Sequence, residues 1–242
     1  MVHLIPVTTR TLIPPQDDII PVLLKKLPPL HEGDVIVITS KVIAISQGRC
    51  IPTNTANLDN LIHAECDAFI PKEQSQYGVT LTLTGGTLIA NAGIDASNAN
   101  NHYILWPTEP SLWAQTTCQL LQSHFGLNHL AIIVTDSTCI PLRWGVNGLS
   151  IGFYGLKPLY DYRHTPDLFG NPLQVTQGSI VDPIAAAAVG IMGEGNESTP
   201  IVIVRGWPRI TFVNHPTHEG FFIPPEKDLY APLWTTFTRN PI

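Results

Sequence analysis

Three apolar runs stand out along the chain: VIVITS from Val35 to Ser40, LAIIVTD from Leu130 to Asp136 and PIVIVRG from Pro200 to Gly206. Each is short, continuous and rich in β-branched residues, which predicts strands buried on both faces. TLTLT from Thr80 to Thr84 alternates instead and predicts a half-buried strand. Gly85-Gly86 then turns it into TLIANAG. LIANAGI reads as a buried strand in which small Ala92 and Gly93 permit close approach, and Asn100 and Asn101 read as turn residues.

Helical periodicity appears in four places. Asp17-Asp18 open a helix through IIPVLLKKL, where Pro21 is tolerated in the first turn. Leu58, Leu61, Ile62, Cys66, Phe69 and Ile70 share one face of a second helix. Pro110 starts a third that closes near Gly126. Asp182 and Pro183 read as N-cap and first residue of a fourth, IAAAAVGIM, stopped by Gly193. Strands and helices do not alternate as regular βαβ units. The expected fold is therefore α+β, with mixed and antiparallel sheets and flanking helices. Residues 1–242 are expected to form one catalytic unit of two interleaved subdomains with the site between them.

Composition narrows the partners. Hydrophobic residues make up 44% and charged residues 13%, a chain with a large core and an uncharged surface that favours self-association. A net charge of −6 and the absence of any basic run argue against nucleic acid and anionic membranes. No apolar stretch reaches membrane length, and MVHLIPVTTR lacks the features of a signal peptide. Cys50, Cys66, Cys118 and Cys139 have no C-x-x-C spacing and read as reduced, buried thiols of a cytoplasmic protein.

The common chemical motifs fail. Neither G-x-x-x-x-G-K-[ST] nor G-x-G-x-x-G is present, nor is H-E-x-x-H, and the scattered histidines argue against zinc. Gly148-Leu-Ser150-Ile-Gly152 matches the G-x-S-x-G nucleophile elbow, which needs a strand before it and a helix after it. FYGLKPLYDYR follows, with glycine and proline where a helix would run, so Ser150 reads as a structural serine.

Three carboxylates share a different context. Asp95 follows TLIANAGI, Asp136 ends LAIIVT ahead of Ser137, and Glu194 follows Gly193 in MGEGNEST. Each taken singly has an account as a turn or cap residue. Together, at the ends of strands, they would form an oxygen-only site suited to Mg²⁺ or Mn²⁺. The glycines of GEGN would either make a flexible turn or offer N–H groups to a phosphate. With so few cations, a bound nucleotide would depend on metal and backbone N–H groups. Arg10, Lys41, Arg49, Arg143, Arg163 and Arg205 are the candidates for the rest.

The segments GDVIVITSKVIAISQGR, IANAGIDASN, IIVTDSTCIPLRWG, SIGFYGLKPLYDYRHTPDLFGNPL and DPIAAAAVGIMGEGNESTPIVIVRG resemble, in order, the coenzyme F-420-0:L-glutamate ligases, or F-420 γ-glutamyl ligases. The resemblance implies a homodimeric ligase using GTP or ATP and divalent metal. Such an enzyme phosphorylates an acceptor carboxylate, after which the amine of L-glutamate displaces phosphate. By motif position it implies Asp95 and Asp136 as catalytic residues and ligands of one metal, with the Ser137 hydroxyl at a second and Glu194 as a further metal ligand that strengthens cation binding. Nucleotide contacts would come from Arg10, Thr11, Leu12 and Ile13, from Ser40 and Lys41, from Asn98, and from Met192, Gly193, Gly195 and Asn196.

The chain also departs from that pattern. Ile45 stands where the family often has a nucleotide-binding lysine, Thr84-Gly85-Gly86 where it often reads RHG, and Cys139-Ile140 where it has glycine-arginine. The Arg49–Thr80 segment looks shorter than usual. A branch that glutamylates folate resembles this chain in the MGEGNExTP loop and in length. The acceptor is thus of folate or deazaflavin type. A metal-dependent phosphohydrolase and a non-catalytic nucleotide- or pterin-binding module are the alternatives.

Overall fold

The computed structural model describes residues 1–239. In chain order these form β1 (His3–Val7), α1 (Ile19–Lys26), β2 (Asp34–Thr39), α2 (Ser40–Ser46), β3 (Cys50–Pro52), α3 (Leu58–Glu65), β4 (Ala68–Ile70), β5 (Leu81–Thr84), β6 (Thr87–Ala90) and β7 (His102–Ile104). They continue with α4 (Pro110–Phe125), β8 (Leu130–Cys139), β9 (Val146–Tyr154), β10 (Leu159–Asp161), β11 (Gln177–Ser179), α5 (Val181–Met192), β12 (Ile201–Arg205), α6 (Ala231–Trp234) and β13 (Thr238–Arg239).

The three apolar runs become the centre of one mixed sheet ordered β1-β12-β2-β8-β9. Only β2 and β8 run parallel; the other neighbours are antiparallel. Alternate side chains of these strands enter two separate cores. Ile36, Ile38, Ile132, Val134, Ile201 and Ile203 pack with Leu23 of α1, Ile43 of α2 and Leu121 of α4. Val35, Val37, Ile133, Val202 and Val204 pack on the other face with Ile184, Ala185 and Ala188 of α5. Helices on both faces explain why the runs are continuous rather than alternating. A second, antiparallel sheet, β13-β4-β5-β6, and the pairs β3-β7 and β10-β11 complete an α+β fold. No helix among the described residues is long and apolar enough to cross a membrane.

Local chemistry sets the boundaries. Asp18 caps α1 by accepting from Ile20 N at 2.9 Å, and Lys25 and Lys26 complement its C-terminal dipole. Gly85 and Gly86 both take positive φ in the β5–β6 turn, as a two-residue hairpin requires. Gly126 closes α4 in the left-handed conformation.

Four expectations change. The second helix stops at Glu65, because Cys66 turns extended and Ala68–Ile70 pairs with β5 instead. Helix α5 starts at Val181, ahead of Asp182, whose carboxylate accepts from Ser150 N at 3.2 Å and Ser179 Oγ at 3.2 Å. The VIVITS strand ends at Thr39, and Ser40 begins α2 with no side-chain cap and no glycine or proline to announce the switch. LIANAGI leaves the strand at Ala90: Asn91, Ala92 and Gly93 all have positive φ. Its close-approach reading holds for Gly93, where a Cβ would lie 2.2 Å from the Trp106 ring.

Gly148-Leu-Ser150-Ile-Gly152 lies wholly within β9, so it is no strand–turn–helix elbow. The register slips opposite Val134 and Thr135, where Ser150 and Gly152 are the partners and Ile151 is the extra residue. Gly148 therefore meets α5, with a Cβ 2.6 Å from Ala185 O, while Gly152 meets α4, with a Cβ 2.6 Å from Pro110 C. The glycines let helices approach both faces of the edge strand. The four cysteines are thiols; Cys50, Cys66 and Cys118 are buried, whereas Cys139 is exposed, against expectation.

Candidate active site

Strand β2 hands over to α2 at Ser40, so its parallel pairing with β8 ends at Thr135. Strand β8 continues to Cys139 beside β9 alone. Asp136 is thus not at a strand end, as the sequence suggested, but is the first residue of β8 past its parallel neighbour. It opens onto a cleft at the carboxyl end of the parallel pair, where ligands of such sheets bind. The cleft holds about 460 Å³, within the range of small-ligand sites.

Five segments supply most of its wall. They are residues 9–12, the β2–α2 junction, the loop from Ile89 through Asn98, residues 136–139, and the stretch from Met192 to Pro200. Asp95, Asp136, Ser137, Glu194, Arg10, Thr11, Leu12, Ser40, Lys41, Asn98, Met192, Gly193, Gly195 and Asn196 all line this one cleft. Ile13 does not: its side chain points out, 49% exposed, while its N–H donates to Asp17 at 2.6 Å. Of the cations named as charge carriers, only Arg10 and Lys41 line the cleft. Arg205 is spent on buried Asp34, at 2.7 and 2.8 Å, Arg49 on Glu65, and Arg163 on Asp161. Arg10 itself forms a fork with Asp17.

The floor is Asp136. Its Oδ2 accepts from Ser40 Oγ at 3.0 Å and its Oδ1 from Ser137 N at 2.7 Å. Burial pushes this carboxyl up to about 6, outweighing the Ser137 N–H, the Ser40 hydroxyl and more distant Lys41, while Asp95 adds to the rise. Beside it, Ser137 Oγ donates to Glu194 Oε1 at 2.8 Å, joining β8 to the loop after α5.

The rim is Asp95. Reciprocal backbone bonds with Ile104, 3.0 and 2.8 Å, fix its main chain. Lys41 Nζ lies 2.5 Å from its Oδ2, and Ser97 gives its N–H to Oδ1 at 2.6 Å and its hydroxyl to Oδ2 at 2.8 Å. Partial burial opposes ionisation, but the Lys41 and Ser97 contacts together hold the carboxyl below its usual value. Asn91, Asn98, Asn100 and Asn101 adopt positive φ, a conformation asparagine tolerates better than most residues. Asn98 Nδ2 then donates to Gly195 O at 2.8 Å, closing one loop on the other. The loop glycines do not present free N–H groups: Gly193 N donates to Val189 O and Gly195 N to Glu197 Oε2.

Ser97 and Glu197 are polar groups that sequence reasoning did not name as site residues, as are Thr9, Thr39, Asn91 and Thr138 on the cleft wall. The first two organise residues that were named, and only the Asp95-x-Ser97 spacing of an Asx turn could have flagged one of them. Among the described residues no three His, Cys, Asp or Glu side chains close on a cation-sized point. The donors are nevertheless all oxygen, and one is a desolvated carboxylate bonded only to neutral groups. That fits Mg²⁺ or Mn²⁺, which typically take one or two carboxylates and complete their shell with water and phosphate.

The sequence of the chain, compared with known proteins, places it among ligases that form carbon–nitrogen bonds. The family described as F420-0:Gamma-glutamyl ligase matches residues 9–206, and the chain belongs to it. The chain is 31% identical over 220 residues to the Coenzyme F420:L-glutamate ligase of Methanosarcina mazei, covering 76% of this chain and 85% of that one. It is 32% identical over 197 residues to that of Methanothermobacter thermautotrophicus, covering 74% and 77%. It is 29% identical over 239 residues to that of Haloarcula marismortui, covering 89% and 90%. By family it is a γ-glutamyl ligase, forming a carbon–nitrogen bond.

Proposed function

We propose that the chain is a nucleotide- and divalent-metal-dependent γ-glutamyl ligase that adds L-glutamate to a carboxylate of a folate- or F-420-0-type acceptor through an acyl phosphate. The observation that carries this reading is the convergence of Asp95, Asp136, Ser137 and Glu194 with the nucleotide-segment residues on one cleft. Asp136 and Asp95 would hold one Mg²⁺ or Mn²⁺, and Ser137 with Glu194 a second. The metal would neutralise the triphosphate of GTP or ATP and align the acceptor oxygen with the γ-phosphorus.

The chain's own groups do the rest. Ser40 orients Asp136 through its hydroxyl, and Ser137 orients Glu194. Arg10 to Leu12, Ser40, Lys41, Asn98, Met192, Gly193, Gly195 and Asn196 would border the nucleotide. The acceptor carboxylate oxygen bonds to the γ-phosphorus as the nucleoside diphosphate leaves. The glutamate amine then attacks the acyl carbon, inorganic phosphate departs, and a proton is released. Residues 1–242 act as one catalytic unit with the site between the large sheet and the smaller one; residues 240–242 lie outside those described. Exposed Leu142, Trp144, Leu168 and Phe169 support a homodimer, which a native mass twice that of the chain would verify.

The test is an acceptor panel. Purified protein is incubated with Mg²⁺ or Mn²⁺, ATP or GTP, L-glutamate and either folate or F-420-0, and products are weighed by mass spectrometry. A glutamyl unit added to one acceptor is expected. No addition to either sinks the reading: nucleotide loss without glutamate-dependent product makes the chain a phosphohydrolase, and binding without turnover makes it a binding module.

A further inference from the structure

Lys41 is held with unusual completeness for a cleft lysine. Its ammonium has three N–H groups, and they meet three acceptors: Asp95 Oδ2 at 2.5 Å, Ser97 O at 3.0 Å and Ser97 Oγ at 3.1 Å. Its side chain is 25% exposed, so the stem is sheltered while the head sits at the cleft wall. The Asp95 carboxylate is also well partnered, since both its oxygens accept from Ser97 as well. The lysine is therefore not aimed at the open cleft. It occupies Oδ2 of the carboxylate that a cation would bind.

We propose that Lys41 is an exchangeable counter-ion for Asp95, parked there until a divalent cation arrives and then released toward the phosphate groups of the nucleotide. The inference rests on the ligase reading above and gives Lys41 a positioning role in it. A divalent cation and an ammonium on the same carboxylate repel each other, so binding of the first weakens the Lys41–Asp95 contact and favours release of the ammonium. The four-carbon stem of lysine lets the head swing without moving α2. Ser40, the neighbouring residue, already touches Asp136, so the released ammonium stays beside the floor of the same cleft. The protein thereby keeps Asp95 ionised and ordered before the cation comes. It also delivers a positive charge to the anionic co-substrate only once the cation is in place. No proton or covalent bond changes hands in this exchange.

The experiment reads the lysine directly. Amine labelling of the full chain by reductive methylation, followed by mass spectrometry of the Lys41 peptide, is carried out without metal, with Mg²⁺ alone, and with Mg²⁺ plus a non-hydrolysable GTP or ATP analogue. Mg²⁺ binding is measured separately by calorimetry. Mg²⁺ alone is expected to speed Lys41 labelling about fivefold, the worth of a partly exposed ion pair. Adding the analogue is expected to slow labelling below the Mg²⁺-alone rate. Labelling unchanged or slowed by Mg²⁺ that calorimetry shows to be bound overturns the exchange and leaves the ligase reading standing. No Mg²⁺ or Mn²⁺ binding at all overturns both. Lys41→Met, checked for an unaltered melting transition, is expected to bind Mn²⁺ about fivefold tighter than wild type in the absence of nucleotide. Equal or weaker binding also overturns the exchange.

Discussion

The floor and the rim of the cleft carry the same chemical group in opposite conditions. Asp136 rises from a strand of the central sheet, is hydrogen-bonded only by neutral donors, and is raised by burial. Asp95 sits on a loop of left-handed residues, touches an ammonium, and is held below its usual value once the Lys41 and Ser97 contacts outweigh desolvation. A carboxylate that is already neutralised gains little from a cation, whereas a desolvated one with no counter-charge gains most. The contrast assigns the stronger cation dependence to the floor and the already neutralised charge to the rim.

The largest expected effect breaks the floor. Asp136→Asn should lower turnover about a thousandfold, the several kcal/mol that a metal clamp supplies, because an amide oxygen is a poor ligand for a hard cation. The fold should survive, since the amide is not charged and escapes the desolvation that raises the acid. Product formation measured by mass and melting followed by circular dichroism separate the two effects. A variant with wild-type turnover would remove Asp136 from the site.

The rim should break through its backbone instead. Gly93 has φ +71°, and an added Cβ would lie 2.2 Å from the Trp106 ring. Gly93→Ala should cost about 3 kcal/mol in urea denaturation, from left-handed strain together with overpacking. Asp95 lies two residues further on, so activity should fall with stability. A change below about 0.5 kcal/mol, the usual range of surface substitutions, would mean that the loop relaxes freely and that the rim is not fixed by Trp106.

The same contrast explains what the sequence could reveal. The central strands were legible because helices on both faces demand unbroken apolar runs, and the α1 and α4 boundaries because Asp18, Pro110 and Gly126 are local signals. The switch from β2 to α2 was hidden because VIVITSKVIAIS is apolar on both sides of the boundary. Phe69 and Ile70 fitted the helical face of α3, yet pairing with β5 drew them into a strand. The three carboxylates flagged by their place after apolar runs and a capping glycine line one cleft, as do the residues named from the resemblance apart from Ile13, whereas four of the six cations proposed from the charge count lie elsewhere. What could not be read was which charges neutralise each other. Arg205 faces Asp34 across 171 residues of chain, and Lys41 of α2 meets Asp95 of a distant loop. Only the folded sheet decides such pairs.

Acid should move the two carboxylates in opposite directions. The raised Asp136 makes the metal-free folded chain keep a proton that the unfolded chain releases above about pH 4. Its contribution to stability is complete below that value and is lost as pH rises through about 6. Asp95, being lowered, contributes above the ordinary carboxyl range and loses that contribution only at lower pH, as it protonates. Cation binding must expel the Asp136 proton, so Mg²⁺ affinity should fall about tenfold per pH unit below 6. The rise in melting temperature produced by Mg²⁺ should therefore be full at pH 7.5 and much reduced at pH 5. In Asp136→Asn this pH dependence should vanish. A Mg²⁺ effect equal at both pH values in the wild type would mean that the cation does not meet Asp136.

The smallest effect lies beside the floor, where β8 meets the loop after α5. Ser137 Oγ donates to Glu194 Oε1 at 2.8 Å, and Glu194 is itself exposed. Ser137→Ala removes one hydrogen bond at the surface, so stability should change by less than about 0.5 kcal/mol. If Ser137 only steadies the loop, turnover should follow that small number. If the hydroxyl is also a cation ligand, turnover should drop about fivefold, the worth of one good polar contact. Ser137→Thr, which keeps the hydroxyl, should then restore it. Glu194→Gln adds the second arm: a glutamine can still accept from Ser137, so it spares the hydrogen bond and removes only the charge. A loss in Ser137→Ala that Ser137→Thr rescues, beside a loss in Glu194→Gln that rising Mg²⁺ concentration overcomes, would place both groups on the cation. Unchanged turnover in all three variants would confine the machinery to Asp136 and Asp95.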